Sequence, residues 1–411
     1  MTEYVETNLT TAFNTYQNTA ATGDRVLLAD GVYNNATRKS LTKNASGVVE
    51  FGAQNVGGAT ITGEAIDLTS NNIKFRGFDL AFTTSAAQYI DINGTGCQFT
   101  RNNCHFANPG ANRKWVRVRA NDATIDHNKF YSKTNDDVLL LVFKTGETTT
   151  GCKILYNYFF DVQGLGNDTE VIRVGDSGRC TYQFGTEIAY NRFEDIGADP
   201  ELISCKGSGL NIHHNTCVNC DAAITLRQCT DCTVDSNTLV NTGLRAYGKN
   251  HIITRNQFIE NARNDLRQAL VVGNADVEEY PVDTSNANYA RFKNCRIENN
   301  IFANKNATAN SIFIFGYKGS CSGCNTLPTG NTIRSNIMTA TTGQLTDEIN
   351  SASFASQTAS NNIIYPTGSA TVGDMPASAY RNVNPNLTQL ADGSYRCAIY
   401  LDNTEVGPGS I

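Results

Sequence analysis

The chain repeats one short pattern of apolar and polar positions: an Ile or Val, two residues, an Asn, one more residue and an apolar residue. Its clear instances are Ile125/Asn128/Phe130, Ile154/Asn157/Phe159, Ile188/Asn191/Phe193, Ile212/Asn215/Cys217, Val234/Asn237/Leu239, Ile253/Asn256/Phe258, Ile297/Asn300/Phe302 and Ile333/Asn336/Met338. Weaker versions precede them at Ile73/Arg76/Phe78 and Phe99/Asn102/Cys104. Through the middle of the chain successive Asn positions lie 19 to 34 residues apart, the period of a solenoid in which each repeat is one coil. The wider gap from Asn256 to Asn300 predicts two coils. Short alternating strands point the Ile and the aromatic residue inward. The Asn is expected to take the left-handed conformation of a tight turn and to bond the Asn of the next coil.

The flanks fit the same scheme. Leu9 to Ala21 reads as a short amphipathic helix, and Val26 to Tyr33 as an alternating strand that ends at a turn. A helix at this end would cap the open core and free strand edge of the first coil. After Asn336 the pattern weakens into Ser-, Ala- and Thr-rich sequence. The expected fold is all-β: a single-domain right-handed parallel β-helix over residues 1–411, with a short N-terminal capping helix within about residues 1–25, and the last coils and a C-terminal cap from about residue 340.

Composition agrees with that architecture, since Asn, Thr, Gly and β-branched residues abound and only eight prolines and one tryptophan interrupt the pattern. The formal charge of −6 argues against a general nucleic-acid binder, so an anionic ligand would need a local basic patch. No run approaches the eighteen apolar residues of a membrane span. The start, Met1 to Glu6, has neither the basic nor the apolar region of a signal peptide; the expectation is a secreted or periplasmic protein, probed without its leader, acting as a monomer.

Thirteen cysteines include three C-x-x-C pairs, Cys217/Cys220, Cys229/Cys232 and Cys321/Cys324. In isolation such pairs suit zinc, but the first two straddle turns of the repeat and have packing roles. Cys97, Cys152, Cys232 and Cys295 each stand two residues before the motif's first apolar position and are expected to stack in the core, where thiols behave as small hydrophobes.

Candidate chemistry concentrates between Asn167 and Arg245. If Leu202, Leu226 and Leu244 face the core, Glu201, Arg227 and Arg245 project outward from stacked strands and can share one ligand, and Asp199 lies on the face of Glu201. Around them, Lys114, Arg117, Arg119 and Lys133 supply positive charge, and Trp115 and Tyr247 supply faces on which sugar rings could stack.

The ordered set from Trp115-Val116-Arg117-Val118-Arg119 through Ile125-Asp126-His127-Asn128-Lys129-Phe130 and Lys133 to Glu201-Leu202-Ile203-Ser204-Cys205-Lys206 and Leu226-Arg227 resembles polysaccharide lyase family 6, which contains alginate lyases and chondroitinase B. The resemblance covers most of the chain. It implies a calcium ion held by Asn167, Asp199 and Glu201, with Lys206 as base and Arg227 as acid. On the residues' own chemistry, Arg245, Lys114, Arg117, Arg119, Lys133 and Tyr247 are candidate substrate contacts. Asp199 departs from a usual Glu, Cys205 from a common Asn, and Gln228 from a frequent His.

The chemistry is coherent. A uronate's C5 proton becomes removable once its carboxylate is neutralised, which suits a hard, oxygen-seeking cation. The base must be a neutral amine, a form that nearby positive charge favours. The expected activity is β-elimination on an acidic polysaccharide, alginate foremost and dermatan sulfate next. A non-catalytic β-helical adhesin and a uronan epimerase are the alternatives, whereas hydrolysis by paired carboxylates would divert the metal ligands.

Overall fold

In the computed structural model, residues 1–397 are described apart from 44–45, 84–86, 106–112, 144–148, 164–167, 179, 198, 264, 281–288, 307–310 and 319–320. The chain is a parallel β-helix. Three long sheets are built from parallel strand pairs, and Leu9–Asn18 is the only α-helix among the described residues. It divides into two compact units, one formed by Met1–Gly175 with Phe184–Asp199, the other by Asp176–Gln183 with Pro200–Ile411.

In the first unit the capping helix begins at Asn8, whose side-chain oxygen accepts from the Thr11 N–H at 3.1 Å. Its buried face, Leu9, Ala12, Phe13 and Tyr16, lies against the first coils, with the Phe13 ring 4.9 Å from Phe51. The predicted strand Val26 to Tyr33 is instead two strands, Arg25–Leu28 and Gly31–Asn35, and a further strand, Glu3–Glu6, precedes the helix and pairs with the former. The break falls at Ala29-Asp30, where the chain turns a corner into Gly31. Phe51, Phe75 and Phe99 stack at 6.0 and 5.7 Å, and Phe130, Phe159 and Phe193 at 5.0 and 4.9 Å. These offset rings stack from coil to coil through the core.

The motif's asparagines form buried amide ladders. In the first unit Asn102, Asn128 and Asn157 each donate both backbone and side-chain N–H to the carboxamide oxygen of the next coil's Asn, at 2.9 to 3.0 Å. In the second unit the ladder passes through Asn215, Asn237, Asn256, Asn300, Asn336 and Asn362. The Asn does not itself take the left-handed conformation. The residue before it does, as at His127 (φ 57°), Tyr156 (55°), His214 (53°) and Arg255 (55°). That kink turns the Asn side chain into the interior, where its donors and acceptor must be satisfied by protein.

Asn256 donates directly to Asn300 at 2.9 Å, so the wide gap is one coil with a long excursion, not two coils. The rung at Asn362 lies in a coil where Ala359 holds the motif's Ile position, which hid it from the repeat. Cys97, Cys152, Cys232 and Cys295 are all buried, as the core stack requires, and Cys321 and Cys324 form a disulfide.

Candidate active site

The sheet that carries the candidate chemistry in the second unit runs through Glu201–Lys206, Ala223–Leu226, Gly243–Ala246, Leu270–Gly273 and Ser311–Tyr317. Ile203, Ile224, Leu244, Leu270 and Phe313 share one inward column, and Cys205, Leu226, Ala246, Val272 and Phe315 another. Position 203, not 202, therefore joins Leu244 in the core column. A register shift between Glu201 and Ile203 accounts for the difference, because a bulge breaks strict alternation and re-aims a side chain. It leaves Glu201 on the same side as Ser204, whose hydroxyl donates to Oε2 at 2.5 Å.

Glu201 is the hub of this face. Its Oε1 accepts from Arg245 Nη2 at 2.5 Å and from Arg227 Nη1 at 3.1 Å, and its side chain is only 3% exposed. Burial alone would raise its pKa, but Arg245, Arg227, Ser204 and Lys206 together hold it below the ordinary carboxylate value. Arg245 is itself buried.

Lys206 and Arg227 occupy adjacent coils at the same height. Cys205 pairs with Leu226, and the Arg227 N–H donates to the Cys205 carbonyl at 3.2 Å, so the next residues project side by side at the strand spacing of about 4.8 Å. Tyr247 follows in the third coil, its N–H on the Leu226 carbonyl. Its ring stacks on Tyr289 at 4.3 Å; Arg245 lies 5.8 Å from the Tyr247 ring, and Arg227 5.8 Å from Tyr289. The ring has room because position 273 is Gly: a Cβ there would stand 1.9 Å from Tyr247 Cε1. Burial pushes the Tyr247 hydroxyl up to about 12, so it stays a protonated donor at neutral pH.

The excursion between the coils of Asn256 and Asn300 supplies Tyr289 and also Tyr280, whose hydroxyl donates to the Arg227 carbonyl at 2.7 Å. Sequence reasoning missed both, since the excursion carries no repeat. The departures at Cys205 and Gln228 do not alter the outward face: Cys205 is buried inward, and Gln228 is buried with its side-chain oxygen accepting from the Ser177 hydroxyl at 2.7 Å.

In the first unit, Asp199 is 4% exposed and its Oδ2 accepts from the Asp168 N–H at 3.1 Å. Arg173, which the sequence did not single out, bonds Asp168 at 3.1 Å and the buried Glu170 at 3.3 Å. Asn167 lies outside the described residues. Arg117 and Arg119 both clasp Asp91, at 2.6 to 3.2 Å; burial works against that carboxylate, and the two guanidinium groups hold its pKa down. Lys114 pairs with Asp137 at 2.7 Å. Lys133, expected at the ligand surface, is instead fully buried, its ammonium bonded to the Asn135 carbonyl and its pKa lowered to about 8 by burial, against the pull of Asp137 and Asp136. Trp115 is buried too, with its indole N–H on Asn135. Their place under the sheet was illegible because Lys and Trp at alternating positions read equally as rim or core.

The donor set offered to a calcium ion is chemically suitable. Asp199 in the first unit and Glu201 in the second are each buried acids, and carboxylate oxygens are what a hard divalent cation takes. The arginine pair on Glu201 competes for the same oxygen.

The fold is thus a parallel β-helix that, on one face of its second unit, sets Lys206 and Arg227 beside the buried Glu201. More narrowly, the chain belongs to the chondroitinase B family, which it matches over residues 7–373, within polysaccharide lyase family 6. Among solved structures it is similar to the family 6 alginate lyase AlyGC (19% identity, TM-score 0.84, 99% of this chain and 57% of that one). It is also similar to a mannuronic-acid-specific family 6 lyase from human gut microbiota (20%, TM-score 0.75, 89% and 87%) and to the family 6 polysaccharide lyase Pedsa3628 from Pseudopedobacter saltans (18%, TM-score 0.74, 99% and 100%). The chain thus spans just over half the length of AlyGC. No curated protein matches it in sequence.

Proposed function

We propose that the protein is a calcium-dependent polysaccharide lyase that depolymerises alginate by β-elimination. The observation that carries this reading is the pairing of Lys206 with Arg227 at one height on adjacent coils, beside Glu201. Lys206, as the neutral amine, takes the C5 proton of a uronate. The electron pair forms the C4–C5 double bond and the C4–O bond breaks. Arg227 stabilises the leaving oxygen; its guanidinium is a poor literal acid, so the proton reaches that oxygen through water. Arg245 and Tyr247 orient the sugar from the neighbouring coils. Asn167, Asp199 and Glu201 would hold the calcium ion, which when bound neutralises the uronate carboxylate and so acidifies C5.

Alginate is favoured because the similar structures include alginate and mannuronate lyases. The family's description supports dermatan sulfate as the second reading. Purified protein is assayed on alginate blocks and dermatan sulfate in parallel for the ultraviolet absorbance of an unsaturated uronate. Absorbance with alginate alone is expected; absorbance with neither substrate overturns the lyase reading. Chelation should abolish activity and calcium should restore it better than magnesium, which demands a smaller, stricter octahedral site; Asp199→Ala should raise the calcium concentration needed at least about tenfold, as loss of one carboxylate ligand implies. Full activity after chelation would remove the metal from the scheme.

A further inference from the structure

Beneath the outward face, the same strands converge on a second set of ligating groups that the lyase chemistry does not use. Cys229, Cys232 and His251 are each fully buried, and one ligand atom from each lies within 4.8 Å of the other two. Cys205, also fully buried, shares a thiol hydrogen bond with Cys229. We propose that Cys229, Cys232 and His251, with Cys205 closing the fourth position, form a buried structural zinc site.

The imidazole is already set for it. His251 Nε2 lies 2.9 Å from the Tyr247 carbonyl, which can only accept, so Nε2 carries the hydrogen and Nδ1 presents its lone pair. A backbone carbonyl on the distal nitrogen is the outer partner that fixes the tautomer of a metal-binding histidine. In this structure that lone pair accepts the Cys232 N–H at 3.1 Å, a bond that zinc would replace. Two thiolates on one tetrahedral zinc stand about 3.8 Å apart and a thiolate and an imidazole nitrogen about 3.5 Å apart, given bonds of about 2.3 and 2.0 Å. The three ligand atoms of Cys229, Cys232 and His251 lie within 4.8 Å of one another, so zinc would draw them closer.

The other core thiols show what packing alone looks like. Cys97 rests on the Ser70 carbonyl at 3.2 Å and Cys152 on the Ala120 and Thr150 carbonyls at 3.3 and 3.9 Å, and neither belongs to a cluster of metal-ligating groups. Packing around the cluster is close: a Cβ at Gly248, which has φ +90°, would stand 2.1 Å from the Cys229 carbonyl and 3.0 Å from His251 Nε2.

Binding replaces thiol protons with zinc and releases them to solvent. Because the site is closed to solvent, the ion is acquired as the coils close and is retained until they open. Cys205 precedes Lys206 and Cys229 follows Arg227 by two residues, so the metal would tie together the backbone on which both stand. The proposal does not depend on the lyase reading.

The test is the zinc content of the full chain produced with zinc in the medium and treated in its native state with a chelator that strips calcium. About one equivalent of zinc should remain, and should be released on denaturation to a colorimetric zinc indicator. Refolding with cobalt in place of zinc should give thiolate-to-cobalt charge-transfer absorption. Cys229→Ser and His251→Gln should each lower retained zinc about tenfold, whereas Cys152→Ser should retain it. Less than about a tenth of an equivalent in the wild-type chain, with no cobalt absorption, overturns the proposal, as does a mass showing a disulfide among these thiols. The wild-type measurements decide the matter even if a variant does not fold.

Discussion

Arg245→Met removes one guanidinium from the pair that neutralises Glu201 while keeping much of the apolar stem. The ion pair is 2.5 Å long, with the side chains 8% and 3% exposed, so solvent cannot take over the lost interaction. Removing one partner of a buried pair costs about 3 to 5 kcal/mol, because the other charge stays buried. Arg227 remains 3.1 Å away, which places the expected loss near the lower bound, about 3 kcal/mol or roughly a hundredfold in the folding equilibrium. Urea unfolding in the presence of a chelator measures it without a contribution from bound metal. A double-mutant cycle with Glu201→Gln isolates the cause: with the carboxylate gone, Arg245→Met should cost less, giving a coupling of at least about 2 kcal/mol. If the two substitutions add to within about 0.5 kcal/mol, the stranded charge is not the source of the loss, and the account of Glu201 as the electrostatic hub is wrong.

Two other perturbations test the surroundings of the site. Gly273→Ala forces the Tyr247 ring from its place, since the new Cβ would stand 1.9 Å from it; turnover should fall at least about tenfold with unfolding temperature changed by only a few degrees, an outcome checked by kinetics and calorimetry together. Acid should destabilise the protein in a defined direction. The carboxylates of Glu201 and Asp91 have folded-state pKa values below their ordinary 4.5 and 3.8, so their stabilisation is complete above those values and is lost as the pH falls through the lowered ones. Thermal melts should be flat from neutrality to about pH 5 and drop below it, with a shallower drop in Asp91→Asn; an unchanged slope in that variant would remove Asp91 from the account.

The repeat was legible because its physics is local. An apolar residue, a ladder Asn and an aromatic at fixed offsets specify two strands and the bend between them, and the structure places these residues as expected at every clear instance. The bend itself was read one residue too late, since the left-handed residue is whichever precedes the Asn, and His127, Tyr156 and Arg255 carry no turn signature of their own. The Lys206–Arg227 pair was implied by the family resemblance; in the structure Lys206 ends one strand and Arg227 follows the end of the next. The bulge at Glu201 could not be read from sequence, as it depends on a register between coils. Tyr280 and Tyr289 reach the site from an excursion with no repeat, and the burial of Lys133 follows from a bond to Asn135 that no local pattern announces.

The claim that Lys206 is the proton acceptor is tested most directly by Lys206→Ala, assayed for unsaturated product across a range of pH and, in parallel, for oligosaccharide binding by calorimetry. The variant removes the amine but leaves Arg227, Arg245 and Glu201 as they are. Turnover should fall by at least about a thousandfold, in keeping with the loss of general-base catalysis, while oligosaccharide affinity changes by less than about tenfold. Arg227→Ala should weaken both. A folded Lys206→Ala protein that retains near wild-type rates at any pH in the range would contradict the account, and another group would have to take the C5 proton.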